Sequence, residues 1–244
     1  MIKFFRQIRH NLLTEGKTSK YFKYAIGEIL LVVIGILIAL QISNWNQNRL
    51  NSNKETAILA DIHKEFTQNK KQLDSVIIQH KLVYDNCAKV MSLFPILSKP
   101  EPEVLDSLSV QLWWSYGGVT FNPSQTSINA LESTSSFDII KNESLRDLLI
   151  SWNDLITDYQ EEELLSRKYI WDQYDPYMAQ HFDWDFNFKD ERNNFEALQS
   201  LRFEFMVKGR YDLMDQILNA SGELQKVQET LDSIIELSKP NYRD

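Results

Sequence analysis

The residues with the most capacity for chemistry lie in His181-Phe182-Asp183-Trp184-Asp185-Phe186-Asn187-Phe188, where polar and aromatic side chains alternate. In extended backbone one face would carry His181, Asp183 and Asp185, an imidazole and two carboxylates of the kind that hold a divalent cation, and the other face would carry the rings. No EF-hand loop, glycine hinge or further ligand set accompanies them. The expectation is therefore structural: Phe182, Trp184, Phe186 and Phe188 form a lid over one end of a helical core, with the acids solvated. A second candidate is Trp113-Trp114-Ser115-Tyr116-Gly117-Gly118, where rings beside a flexible loop could grip a peptide or glycan. Packing into the core is the commoner fate of such rings and is expected here. No nucleophile-elbow, zinc-protease, P-loop or dinucleotide-binding pattern occurs, so the chain is expected to be non-enzymatic, with no catalytic, cofactor-binding or metal-ligating residue assigned.

The elements that must position these residues are helical. No Gly or Pro interrupts the chain between Gly35 and Pro95, which predicts one continuous helix. Along it Leu59, Ile62, Phe66, Asn69, Leu73, Val76, His80, Val83, Cys87, Val90 and Phe94 recur at alternating spacings of three and four, the seam of a coiled coil or long bundle helix. Continuous over residues 44–94, that helix would rise roughly 75 Å at 1.5 Å per residue and hold the following domain away from its anchor. His80 and Asn69 are polar seam positions that fix register. His63, off the seam, and Glu161-Glu162-Glu163 are expected to be solvated.

After a turn at Pro95, Pro100 and Pro102, short helices are expected over residues 104–114 and 127–137. Lys141-Asn142-Glu143-Ser144 reads as the N-cap of a helix bearing Leu145, Leu148, Leu149, Trp152, Ile156 and Tyr159 that runs to about Tyr174, where Asp175-Pro176 ends or bends it. A long C-terminal helix follows from Phe195, although Gly209 and Gly222 each cost about 1 kcal/mol in a helix interior. Together these segments predict an all-α fold, a long N-terminal helix leading into an elongated helical bundle whose C-terminal helix packs antiparallel to part of the first.

Residues 24–42 carry only Glu28 and Gln41 as strongly polar side chains, and their 19 residues approach the ~20 needed to cross a hydrocarbon core. Twelve Ile, Leu and Val residues, at about −0.3 to −0.6 kcal/mol each, outweigh one carboxylate near the end of the span. Residues 1–24 hold six Lys/Arg and one Glu, net +5, whereas residues 43–244 hold 20 Lys/Arg and 32 Asp/Glu, net −12. By the positive-inside rule residues 1–23 are cytoplasmic and residues 43–244 extracytoplasmic. A cleavable signal is the rival, but residues 39–42 lack the paired small residues that cleavage needs. Ile2, Phe5, Ile8 and Leu12 give the basic segment one apolar face, as in an interfacial amphipathic helix. An acidic exported part disfavours nucleic acid. Glu28 is expected at the interface, and the small-residue row through Gly27, Gly35 and Ala39 is a weak dimerisation pattern. The lone Cys87 permits no intrachain disulfide.

The stretch Tyr24-Ala25-Ile26-Gly27-Glu28-Ile29-Leu30-Leu31-Val32-Val33-Ile34-Gly35-Ile36-Leu37-Ile38-Ala39-Leu40-Gln41-Ile42, followed by Asn44-Trp45-Asn46, resembles the anchor of a family of bacterial single-span membrane proteins of unknown function. The opening Met1-Ile2-Lys3-Phe4-Phe5-Arg6 and the later Ile139-Ile140-Lys141-Asn142-Glu143-Ser144-Leu145-Arg146 are similar to it as well, while Ser43 departs from the Asn at that position. The resemblance implies an inner-membrane protein with a periplasmic helical domain and carries no activity or site with it. The function expected is a membrane-anchored interaction or scaffold module of the cell envelope, engaging itself or an envelope protein. The alternative is a ligand- or metal-sensing helical domain.

Overall fold

A computed structural model describes residues 18–240, and every regular element among them is helical. In chain order they are α1 (Thr18–Met91), α2 (Pro102–Ser115), α3 (Thr126–Ser133), α4 (Glu143–Tyr169), α5 (Asp175–His181), α6 (Leu201–Asp215) and α7 (Glu223–Leu237). Two 3-10 turns, Phe137–Ile139 and Phe195–Gln199, and two π-helical turns, Ile170–Tyr174 and Gln216–Ala220, lie between them. The chain divides into two compact units, Met1–Glu55 and Thr56–Asp244.

In the first unit, α1 carries a helical stretch whose large apolar side chains are bare: Ile29, Leu31, Leu37 and Ile42 are all more than half exposed. A soluble surface seldom tolerates a contiguous patch of this kind. The helix is long and apolar enough to cross a bilayer, with a mean hydropathy of 2.6 over its most apolar window. At the polar end the Arg49 guanidinium lies 5.6 Å from the centre of the Trp45 ring. The amphipathic helix expected over residues 1–23 falls largely outside the described residues.

In the second unit the seam of α1 turns inward. Nine of its eleven positions, Ile62 through Val90, are buried, while Leu59 and Phe94 pack partly buried against the same core. Each fully buried Leu, Ile, Val or Phe contributes about 1.5–3 kcal/mol. The partners come from this chain's own helices. Phe66 meets Trp152 of α4 edge to face at 5.0 Å, and His80 bonds Glu163 further along both helices, so α1 and α4 run parallel. His63 lies against the Ile235 carbonyl and Lys70 pairs with Asp232 at 2.6 Å, so α7 runs antiparallel to α1. The seam is thus consumed inside the fold: Phe66 and Leu73 are almost fully buried and offer no surface to a partner.

Local chemistry accounts for the helix ends. Pro102 opens α2, where its missing N–H costs nothing, and Asn142 accepts the Leu145 N–H at 3.0 Å to cap α4. Two expectations change. The first helix stops at Met91 rather than Phe94. The C-terminal helix is not continuous: Gly222 adopts φ 75° and breaks it between the second π-turn and α7. Gly209, by contrast, lies inside the unbroken α6, and its missing Cβ leaves room for the Tyr169 hydroxyl, which a Cβ would approach at 2.5 Å.

Candidate functional site

Both sequence candidates arrive at one place. The end of α2 supplies Trp113, Trp114, Tyr116, Gly117 and Gly118; α4 and its π-turn supply Arg167, Ile170 and Trp171; α5 supplies Asp175, Met178 and Ala179; and the segment after it supplies Phe182, Asp183, Trp184 and Phe186. Together they line a cleft of about 670 Å³. Core packing was the expectation for Trp113 and Trp114, but they are 46% and 40% exposed, and Trp184, expected in a lid, is 71% exposed. They form walls and rim. Phe182, Phe186 and Phe188 do pack inward beneath them.

Proline chemistry explains why the cleft opens here. Pro176 lacks the N–H that would return to the residue four earlier, and its ring crowds that carbonyl. The helix widens into the π-turn Ile170–Tyr174 immediately before α5, which turns Trp171 outward while Ile170 and Tyr174 stay buried. Tyr174 is held from below by a 2.5 Å bond with Ser115 Oγ. Tyr116 donates its hydroxyl to Asp175 Oδ1 at 3.2 Å. Burial, reinforced by the Asp175 charge, raises the Tyr116 pKa, and burial raises that of Tyr174 well above the ordinary value. Both are neutral donors at pH 7.

The loop after α2 is fixed by Arg210 of α6, which is 1% exposed. Its Nε donates to the Ser115 carbonyl at 3.2 Å, one terminal nitrogen to the Ser166 carbonyl at 3.3 Å and to Ser166 Oγ, and the other to the Gly117 carbonyl. Burial lowers the guanidinium pKa, yet an arginine stays protonated at neutral pH. Carbonyls at the end of a helix suit a cation, since the dipole places negative charge there. Gly117 is held close enough that a Cβ would approach Val83 Cγ2 at 2.8 Å.

The segment after α5 is a chain of turns and not the extended strand considered from the alternation. Asp183 accepts the Asn187 N–H at 2.9 Å and the Asn193 side-chain amide at 2.7 Å. Asn193 also accepts the Asp183 N–H at 2.6 Å and donates to the Asn187 carbonyl at 2.7 Å. Phe186 sits at φ 51°, a region costly for a bulky residue, and its ring is 4% exposed. His181, Asp183 and Asp185 do not converge: the His181 imidazole lies against Tyr177 at 4.6 Å with the rings tilted by 56°, and Asp185 is exposed. Among the described residues no group of three His, Cys, Asp or Glu is placed to hold a metal ion.

A second polar cluster lies under the strap between α2 and α3. Glu163 is buried, which corrects the solvated face expected for it; Glu162 is half-buried and Glu161 is exposed. Glu163 bonds His80 Nε2 at 2.8 Å with one oxygen and accepts the Phe121 N–H at 2.8 Å with the other. Gln160 donates to the Phe121 carbonyl at 2.7 Å. Asn69 exchanges two bonds with Ser124, at 2.8 and 2.9 Å. Glu65 accepts the Ser127 N–H at 2.8 Å and so neutralises the start of α3. The two polar seam residues of α1 therefore hold an irregular backbone segment whose polar groups would otherwise be buried unpaired. His63, expected in solvent, is half-buried, 3.0 Å from the Ile235 carbonyl, to which its Nδ1–H donates.

Residues 28–146 match a family of unknown function, DUF6090. The matched region takes in the apolar stretch from Glu28 and the inward seam of α1, then α2, the strap and the start of α4. No curated protein and no solved structure matches the chain.

Proposed function

We propose that the protein is a non-enzymatic, membrane-anchored helical interaction module of the bacterial cell envelope. Residues 1–23 lie in the cytoplasm, residues 24–42 cross the inner membrane, and residues 43–244 form an elongated periplasmic helical bundle. The charge asymmetry supports the orientation, and the bare apolar stretch of α1, with Trp45 and Arg49 beyond it, supports the span. The observation that carries the functional reading is the cleft, because four tryptophans left open on a folded acidic unit are costly unless something covers them. Association through the seam of α1 is replaced as the contact surface, since that seam is internal.

A small-ligand sensor is the second reading, favoured by a cleft volume of about 670 Å³, which is that of small-molecule sites. Crosslinking of the tagged full-length protein in native membranes, followed by mass spectrometry, tests the first. A stoichiometric envelope partner, lost in a Trp171→Ala/Trp184→Ala double variant that remains folded, is the expected result. Recovery of the chain alone, from both proteins, overturns it.

A further inference from the structure

The mouth of the cleft has a chemistry more specific than apolarity. Trp113 and Trp184 stand at 87° with centroids 6.2 Å apart, Tyr116 is tilted 57° from Trp184 at 6.5 Å, and Phe186 lies 5.8 Å from Tyr116 at 44°. Ring faces of several orientations therefore meet at one mouth. Each face carries the negative pole of its quadrupole and attracts a cation within about 6 Å. Two carboxylates, Asp175 and Asp183, line the same cleft against one guanidinium, Arg167.

From this arrangement we infer that the cleft binds a quaternary ammonium group, held among Trp113, Tyr116 and Trp184 with Asp175 as counter-charge. The inference rests on the ligand-binding reading of the cleft. A metal ion or primary ammonium would lose a tight hydration shell that needs convergent oxygen acceptors in exchange, and the Asp183 carboxylate is already bonded to Asn187 and Asn193. An N-alkylated cation has no N–H to satisfy and brings methyl groups that the rings desolvate. A sugar needs a broad stacking platform with many polar partners, whereas here the rings are mutually tilted and few polar groups converge. The volume exceeds one trimethylammonium group, so room remains beside Trp171 and Met178 for an apolar substituent.

Full-length protein in nanodiscs of phosphatidylethanolamine and phosphatidylglycerol, free of choline lipids, is titrated by calorimetry with choline and with its neutral isostere 3,3-dimethylbutan-1-ol. The expected result is saturable choline binding at least tenfold tighter than the isostere. Trp184→Ala, at an exposed rim position, weakens choline at least tenfold without changing the helical far-UV circular dichroism or the urea unfolding midpoint. Asp175→Asn weakens choline and leaves the isostere unchanged. Monomeric dihexanoylphosphatidylcholine binding tighter than choline assigns the cation to a lipid headgroup, and weaker binding assigns it to a free solute; both support the inference. Equal affinities for choline and isostere overturn it while leaving the cleft a ligand site. Absence of saturable binding by any of the three overturns the inference, and the partner-capture result then decides the broader reading separately.

Discussion

Glu163→Ala isolates the work done by one buried carboxylate. In the native protein its two oxygens serve two groups from different segments, the His80 imidazole of α1 and the Phe121 N–H of the strap. Both are buried, with His80 2% and Phe121 0% exposed. Alanine leaves two buried polar groups unpaired at about 1–3 kcal/mol each. It also removes one packed methylene worth about 0.8 kcal/mol. The expected loss is about 3–7 kcal/mol, a large share of the 5–15 kcal/mol available to a typical domain. Glu163→Gln should cost only about 0.5–1.5 kcal/mol, because its carbonyl still accepts from Phe121 while its amide donates to His80 Nε2 in the other tautomer. Urea unfolding of the full-length protein, followed by near-UV circular dichroism, measures both. Hydrogen exchange locates the effect, with protection falling first over residues 118–125. An alanine variant within 1 kcal/mol of the wild type, or loosening spread evenly over the unit, would refute the assignment of strap-holding to this pair.

Gly209→Ala sets about 1 kcal/mol of improved helix propensity against a Cβ 2.5 Å from the Tyr169 hydroxyl. It should lower stability by about 1–2 kcal/mol in the native background and raise it by about 1 kcal/mol when Tyr169 is already Ala, a sign reversal readable by the same unfolding assay. Burial pushes the Cys87 thiol up to about 12 from an ordinary value of 9.0, and a hydrogen bond to Tyr211, then burial, takes Tyr84 to about 12 from 10.0. The folded state keeps protons that the unfolded chain releases, so the stability these groups confer is intact below about pH 9 and is lost as the pH rises to about 12. Denaturation midpoints at pH 8, 10 and 11 should fall in that order, and less steeply in Cys87→Ala.

How much was legible depended on whether the signal was periodic and local. The seam of α1 was readable because an inward face must repeat every three to four residues, and nine of its positions are buried. A cap within residues 141–144 was readable because capping is local; the structure assigns it to Asn142, which accepts an N–H three residues away. The break at Gly222 was not, because that glycine supplies a positive φ, and although the helix continues through Gly209 as expected, the contact that glycine makes room for lies 40 positions earlier. Asn193, which ties the turns below the cleft, carried no signal beyond the polar pair Asn193-Asn194 ahead of an apolar pattern.

Composition and order alone determined that the chain has one apolar stretch fit for a bilayer, a charge reversal across it, and a helical remainder. Those properties sum over neighbouring residues, and neighbours are given by the sequence. Tertiary structure decided that the seam closes on its own helices, that Glu163 lies inside beside His80, and that the tryptophans of residues 113–114 meet Trp184 across one cleft. Each of these depends on which distant surfaces bury one another, and no period in the chain encodes that pairing.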